Sequence, residues 1–296
     1  MRPRDFLFAI AAAFLWGGGG VVGLLFGEHV GLTPLGIATW RMGVAGIALL
    51  GYLAIVGRLR PRSWTHAMWW RMIVTGALTA AFEAAFFTAV ELASVGLATL
   101  IGIGSAPAFV AAYDAVTTRR RPPRLHLAAL GLALAGLALL VGGGAGQGSD
   151  VAAGAAIALF TGAAFAAITI VNRAPLPGLG PIALTGGSFA AGALLLAPFA
   201  TIGGLAFPAD TRGWLLAIAL GVGITALAYV FFLASLATVP AFVATITTLL
   251  EPLIGAVLGA IVLGERLGVS GIVGGALLGT AVVLLRPQRD EPESIH

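Results

Sequence analysis

Apolar runs of about 20 residues, parted by short breaks rich in arginine, glycine and proline, follow one another from one end of the chain to the other. Crossing the roughly 30 Å of hydrocarbon in a bilayer takes about 20 mainly apolar residues at 1.5 Å of rise each. Ten segments meet that requirement: Phe6 to Phe26, Pro34 to Val56, Met68 to Val90, Gly96 to Thr117, Leu125 to Val141, Val151 to Val171, Pro181 to Gly203, Arg212 to Leu233, Pro240 to Leu263 and Gly268 to Leu285. The pattern predicts an all-α integral membrane protein of ten transmembrane helices.

Composition agrees with that prediction. Of 296 residues, 59% are hydrophobic and 9% charged, with a mean hydropathy of +1.03, whereas a water-soluble domain is nearer half apolar and a quarter charged. The basic start Met1-Arg2-Pro3-Arg4 resembles a signal peptide, but the apolar segment behind it exceeds the 7–15 residues of a signal h-region. It reads as the first span, uncleaved.

Charge fixes an expected orientation. The sequence holds no lysine, so all 16 basic residues are arginine, and they do not form the single basic face that binds nucleic acid. With the N terminus inside, cytoplasmic segments hold Arg2, Arg4, Arg58, Arg60, Arg62, Arg71, Arg119, Arg120, Arg121, Arg124, Arg173, Arg286 and Arg289, and outer loops hold Arg212 and Arg266. Thirteen against two places both termini in the cytoplasm of a multi-pass protein of the cell (inner) membrane. No cysteine is present, which removes disulfides, thiolate nucleophiles and cysteine metal sites.

The chain also repeats. Pro107 and Pro252 lie 145 positions apart, Phe86-Phe87 falls on Phe231-Phe232 at the same offset, and Trp70 precedes Trp214 by 144. Residues 1–146 and 147–296 then carry five helices each, joined through Gly142-Gly143-Gly144-Ala145-Gly146. An odd number of spans inserts the second copy upside down, giving two inverted five-helix repeats.

At these residues the chain resembles the ten-helix EamA-type members of the drug/metabolite transporter superfamily. The resemblance covers nearly the whole chain and is carried by Leu250-Glu251-Pro252-Leu253, Leu263-Gly264-Glu265-Arg266-Leu267 and the glycine-rich stretch Gly271 to Gly279. Trp16-Gly17, Pro34 with Arg41, and Ser94-Val95-Gly96-Leu97-Ala98 before Pro107 add to it. The first copy departs where Arg119-Arg120-Arg121 stands in register with Gly264-Glu265-Arg266. The resemblance implies secondary export of small organic metabolites, amino acids foremost, by alternating access, with aromatic amino acid exporters among the group. It also implies a pathway lined by the first four helices of each half and a fifth helix packed outside. Independently, Leu127 to Val141 contains no polar side chain, whereas the other helices carry Thr79, Glu83, Thr161, Thr169, Thr185, Ser188, Thr225, Tyr229, Thr245, Thr247, Thr248 and Glu251; polar groups inside a membrane face protein or water.

Glu251 falls near the bilayer centre, where a charge costs roughly 2.5–3.5 kcal/mol on insertion scales. Thr247 and Thr248 share its face, and Pro252 frees a carbonyl. Glu251 is then either a packed or protonated group repairing that irregularity or a direct participant in substrate or proton handling. Arg41 and Glu83 sit at depths of about 10 and 12 Å on consecutive antiparallel helices, as a structural ion pair or as a contact for one end of a zwitterion. Trp16 shares a face with Gly19, Gly20 and Gly23, suited to close packing or to a ligand, and Thr161, Phe165, Thr169 and Asn172 form a similar stripe. The substrate pathway is therefore expected at Trp16, Arg41, Glu83, Phe165, Ser188, Tyr229, Thr245, Thr248 and Glu251, with helix irregularities, hence hinges, at Pro107 and Pro252.

Other classes are less well served. His29, His66, His126 and His296 fall in loops, helix ends or the tail, so Gly104-Ser105 lacks an intramembrane base; a phosphate-binding P-loop needs a lysine. No cofactor or metal is implied, and the partners are a small-molecule substrate, membrane lipid and, if Glu251 handles protons, a coupling proton. An intramembrane enzyme and a non-transporting scaffold remain as alternatives.

The orientation is testable in this cysteine-free chain. Single cysteines near Arg120 should react with impermeant reagents only from the cytoplasmic side, and those near Arg266 only from outside. The reverse pattern overturns the orientation, and reaction of both from one side overturns the inverted repeat.

Overall fold

The computed structural model describes residues 1–119, 122–141, 149–258, 260–261 and 268–287. Arg120, Arg121, the glycine-rich link at 142–146 and the Leu263–Leu267 motif lie outside the described residues, as do Arg289 and His296. The described residues form ten helices and no strand: α1 Pro3–Val30, α2 Pro34–Ile55, α3 His66–Leu92, α4 Val95–Thr118, α5 Arg124–Val141, α6 Val151–Asn172, α7 Pro181–Ile202, α8 Thr211–Ser235, α9 Ala241–Leu258 and α10 Val269–Leu284; the first nine are long and apolar enough to cross a membrane, and α10 is a shorter apolar helix. Hydrocarbon offers backbone amides no partner, so each span closes its hydrogen bonds internally. Starts are written locally: Thr33, Thr65, Ser94, Asp150 and Asp210 each accept an N–H from the first turn of the helix that follows. Proline opens α1, α2 and α7, where its missing N–H costs nothing.

The dominant helix contacts join the two halves. α3 packs on α6 and α7, as α8 packs on α1 and α2; α4 packs on α6, as α9 packs on α1. α2 meets α7, its own counterpart, and α5 meets α10. Exchanging the first five helices with the last five converts each of these contacts into another of them or, for α2–α7 and α5–α10, into itself, as a pseudo-twofold arrangement of two inverted repeats requires. α5 and α10 pack chiefly on each other beside the other eight.

Backbones approach closely where side chains are absent. A Cβ on Gly136 of α5 would lie 2.6 Å from the Gly274 carbonyl oxygen of α10, and one on Gly274 would lie 2.5 Å from the Gly136 oxygen. Gly46 of α2 similarly admits Ala190 of α7, and Gly76 of α3 admits the Ser188 backbone of α7. Association of helices in lipid depends on such packing.

Two spans are irregular, and one of them is as expected. α9 is interrupted at Leu249, one turn before Pro252, which has no N–H for the Thr248 carbonyl. The hydroxyls of Thr245, Thr247 and Thr248 also bond back to carbonyls of their own helix, a habit that bends helices. α4, by contrast, runs unbroken through Pro107, correcting the expected irregularity there: no threonine precedes that proline within a turn. Unforeseen is a π-helical stretch, Ala219–Ala226, inside α8. Its Gly221 lets Val44 of α2 approach, and π segments are rare and often sit at functional sites.

Polar contacts tie both ends of the bundle. At the end carrying the N terminus, Arg173 meets Asp114 at 2.6 Å and lies over the Tyr113 ring, and Thr238 donates to Asp5 at 2.7 Å. At the opposite end Trp40 donates to the Ala206 carbonyl and packs edge-on against Phe26, Phe207 and Trp214. There the Gly213 N–H and the His29 ring at 2.9 Å hold Asp210 below the usual carboxylate range.

The α5–α10 contact gives a stability prediction. Gly274→Ala should destabilise the protein by about 1–3 kcal/mol, the usual cost of overpacking, and lower its melting temperature in detergent. Gly131→Ala on the open face of α5, where a new Cβ meets nothing within 4 Å, should be neutral or slightly stabilising. Equal behaviour of the two variants removes the close contact.

Candidate functional site

A cavity of about 80 Å³ lies where α1, α2, α3, α4, α6, α8 and α9 converge, at the seam between the halves. Trp16, Arg41, Phe82, Glu83, Phe86, Phe87, Ile103, Phe165, Tyr229, Thr248 and Glu251 line it. Glu251 stands ten residues into α9, about 15 Å from that helix's start, so the cavity sits at mid-membrane depth.

One wall is aromatic. Trp16 packs edge-on against Tyr229, with centroids 4.9 Å apart, and against Phe165 at 6.1 Å. Phe232 supports Trp16 and Phe165 from behind, and Phe189 supports Tyr229. Such edge-to-face pairs fix ring planes beyond what area burial alone does. Gly17, next to Trp16, brings α1 onto α9: a Cβ there would fall 2.9 Å from the Glu251 carbonyl oxygen. Tight packing thus belongs to Gly17, whereas Gly20 faces open space. The Trp16 Nε1–H is buried without an acceptor in the protein; such a donor is costly unless something else accepts from it.

The other wall is charged. Arg41 Nη2 lies 2.9 Å from Glu83 Oε1, with the Glu83 side chain 2% exposed. The contact is an ion pair rather than an aligned hydrogen bond, because neither Arg41 Nε nor Glu83 Oε1 has a hydrogen-bond partner. Glu251 adds a second carboxylate to the same cavity. Two carboxylates thus face one guanidinium, which with both ionised would leave one negative charge in excess, and Arg41 keeps a free donor at Nε.

Backbone acceptors are present as well. Pro107 and Pro252 remove the N–H groups that would bond the carbonyls of Ile103 and Thr248. Both of those residues line the cavity. The inverted repeat therefore brings two proline-freed carbonyl positions, one from each half, to a single site.

Of the residues singled out in the sequence, Trp16, Arg41, Glu83, Phe165, Tyr229, Thr248 and Glu251 are brought together. Ser188 and Thr245 are not among the lining residues. Ser188 is buried at the α3–α7 contact. Thr245 is buried in the first part of α9, bonded to the Ala241 and Phe242 carbonyls. The sequence reading passed over Phe82, Phe86, Phe87 and Ile103 as lining residues. Phe86 and Phe87 follow Glu83 by three and four positions, and Ile103 precedes Pro107 by four, so helical spacing from the polar candidates was the signal. Among the described residues no group of three His, Asp or Glu converges as metal ligands would.

Comparison with known proteins agrees with this architecture. The profile of the EamA-like transporter family matches residues 5–142 and 152–286. The uncharacterized transporter YwfM of Bacillus subtilis (strain 168) is 32% identical over 293 residues, covering 98% of this chain and 97% of its own length. A protein of known crystal structure, 18% identical, superposes with a TM-score of 0.77 over 96% of each chain; at that identity it speaks for the fold alone.

The ion pair gives a double-mutant test. Arg41→Gln or Glu83→Gln alone strands a buried charge and should cost about 3–5 kcal/mol, whereas the double replacement should cost less than either. Additive losses in a detergent melting assay would argue against the pair.

Proposed function

The chain belongs to the EamA-like transporter family, and from that premise we propose that it exports neutral amino acids with large side chains from the cytoplasm by alternating access. One observation carries the cargo class: the cavity divides into an aromatic wall and a charged wall, as an amino acid divides into side chain and zwitterionic head. The free Arg41 Nε–H suits the cargo carboxylate. Glu251, with the carbonyls of Ile103 and Thr248, suits the ammonium group. Trp16, Phe165 and Tyr229 suit an apolar or aromatic side chain, and the unpartnered indole N–H of Trp16 selects an acceptor nearby. Phosphorylated cargo is disfavoured, because a single guanidinium faces two carboxylates.

Alternating access is supported by the seam and by size. Ligand pockets usually span about 300–1,000 Å³, so a cavity of about 80 Å³ is contracted around its site. Admitting an amino acid requires the walls to part. The walls belong to interleaved halves, and the break at Leu249 and the π stretch of α8 lie in two of the spans that form them. Rocking of one half against the other about these irregular segments would open the site to one side at a time, with both termini on the cytoplasmic face.

Reconstituted proteoliposomes loaded with labelled L-phenylalanine, L-leucine, L-lysine or L-aspartate test this reading. Saturable efflux of the first two and little of the last two is expected. Trp16→Ala and Tyr229→Ala should each reduce L-phenylalanine flux roughly tenfold, equivalent to about 1.4 kcal/mol, at unchanged protein level. Leu139→Ala, on an exposed position of α5, should leave it unchanged. Equal loss in all three variants would remove the proposed site, because transport would then be tracking folding.

A further inference from the structure

Glu83 is the inner end of a polar stripe that the cargo site does not use. Arg71, Thr75, Thr79 and Glu83 stand four residues apart on α3, hence on one face, over about 18 Å. Thr75, Thr79 and Glu83 are at most 2% exposed. The stripe joins two cavities: Glu83 lines the central one, and Arg71 lines a basin of about 300 Å³ at the N-terminal end of the bundle. Asn172 of α6 bridges the stripe to that basin, donating to the Thr75 hydroxyl at 3.0 Å while itself lining the basin.

Buried hydroxyls along such a line call for an explanation in a span that otherwise faces apolar neighbours. Thr79 bonds only to the Thr75 carbonyl of its own helix, so its hydroxyl oxygen remains an available acceptor. On α7, which packs against α3, Ser188 and Thr185 are fully buried and their hydroxyls have no partner in the protein. Ser188 lies against Gly76, level with the stripe, and Thr185 lies one turn nearer the N-terminal end. Buried polar atoms of this kind are where internal water is held.

We infer that α3 carries a hydrated proton path, with Thr79 and Thr75 as its waypoints, through which Glu83 exchanges a proton with the compartment facing the N-terminal end. The groups around Glu83 are Arg41 on α2, Tyr229 on α8 and Glu251 on α9; α6 and α7 contain no ionisable side chain, and Asp114 of α4 is held by Arg173. The empty site carries one carboxylate in excess, and it still does when a zwitterion adds one carboxylate and one ammonium. One proton balances either state. When Glu83 takes that proton, its contact with Arg41 loses its charge and the guanidinium is released to a cargo carboxylate. When the O–H bond breaks, the proton leaves through the stripe as hydronium in the basin, and the carboxylate pairs with Arg41 again. The role given to Arg41 rests on the proposed cargo site, but the path does not, and neither arm of the test uses a cargo.

In the first arm, Thr75→Cys and Thr79→Cys in the cysteine-free chain are exposed in proteoliposomes to a small cationic methanethiosulfonate added on the N-terminal side. Both should react, and Leu137→Cys, at the dry core of α5, should not. Unreactive thiols at 75 and 79 overturn the path. In the second arm, the Glu83 carboxyl band, identified as the infrared band lost in Glu83→Gln, is followed on perfusion with D2O. Thr79→Val and Thr75→Val should slow its deuteration at least tenfold without changing its size at equilibrium, because a conduit alters rate and not affinity. Thr79→Ser should restore the rate. An unchanged rate in the valine variants, or absence of a Glu83 band at every pH, overturns the inference whatever the cargo proves to be.

Discussion

A helix in hydrocarbon has satisfied its backbone and has almost nothing further to gain by contacting another helix through apolar side chains, since lipid tails are as apolar as leucine. The fold therefore depends on surfaces close enough for backbone to meet backbone. In this chain those surfaces are glycines facing the opposite half: Gly136 with Gly274, Gly46 with Ala190, Gly76 with Ser188. The same constraint turns polar side chains inward. Thr75, Thr79, Thr161, Thr169, Thr185, Ser188 and Thr245 are all buried, and most of them quench their hydroxyl on their own helix. Those that do not, with the charged cluster, mark where the interior is something other than packing.

Interleaving the halves has a mechanical consequence. Because α3 and α4 of the first half clasp α6 of the second, and α8 and α9 clasp α1, neither half is a free-standing bundle. A relative motion must then be taken up inside spans rather than in a linker between domains. α8 and α9 contain the departures from regular α-helix among the described spans, and both border the cavity. Irregular backbone at membrane depth is tolerated where it lines a cavity or is buried in protein.

Much of this was legible in the sequence, for reasons that are physical. Span length and apolarity are imposed by bilayer thickness, so the ten segments emerged within a few residues of their ends. Arg41 and Glu83 were paired by depth counting alone, since rise per residue fixes height in a membrane, and they meet at 2.9 Å. Rotation about the helix axis is harder to read when apolar residues surround a span on all sides. Ser188 and Thr245 were taken for the pathway on polarity, yet neither is among the residues that line the central cavity. A proline was read as a break at Pro107, where α4 absorbs it, and at Pro252, where α9 is interrupted one turn earlier and the preceding threonines bond back to carbonyls of their own helix. The π stretch had no sequence signature beyond Gly221 and Gly223 in a run already rich in glycine.

The charged cluster departs from the repeat that frames it. At the 145-residue offset Arg41 falls on Gly186, Glu83 on Ala228 and Glu251 on Ala106. The fold is symmetric while its chemistry is not, and electrostatics explains why duplication could not have been kept in full. A faithful copy would bring two guanidiniums and four carboxylates to one seam, doubling the excess negative charge in a medium where each unpaired charge costs roughly 2.5–3.5 kcal/mol even on the mildest scales. Small residues at the copied positions avoid that cost and serve the packing: Gly186 lets the Leu49 and Leu50 side chains of α2 come close, 3.1–3.3 Å from where a Cβ would stand. What both copies do keep is the proline one turn beyond a lining residue. A freed carbonyl is polar without being charged, so it can be duplicated across the seam where an ion cannot.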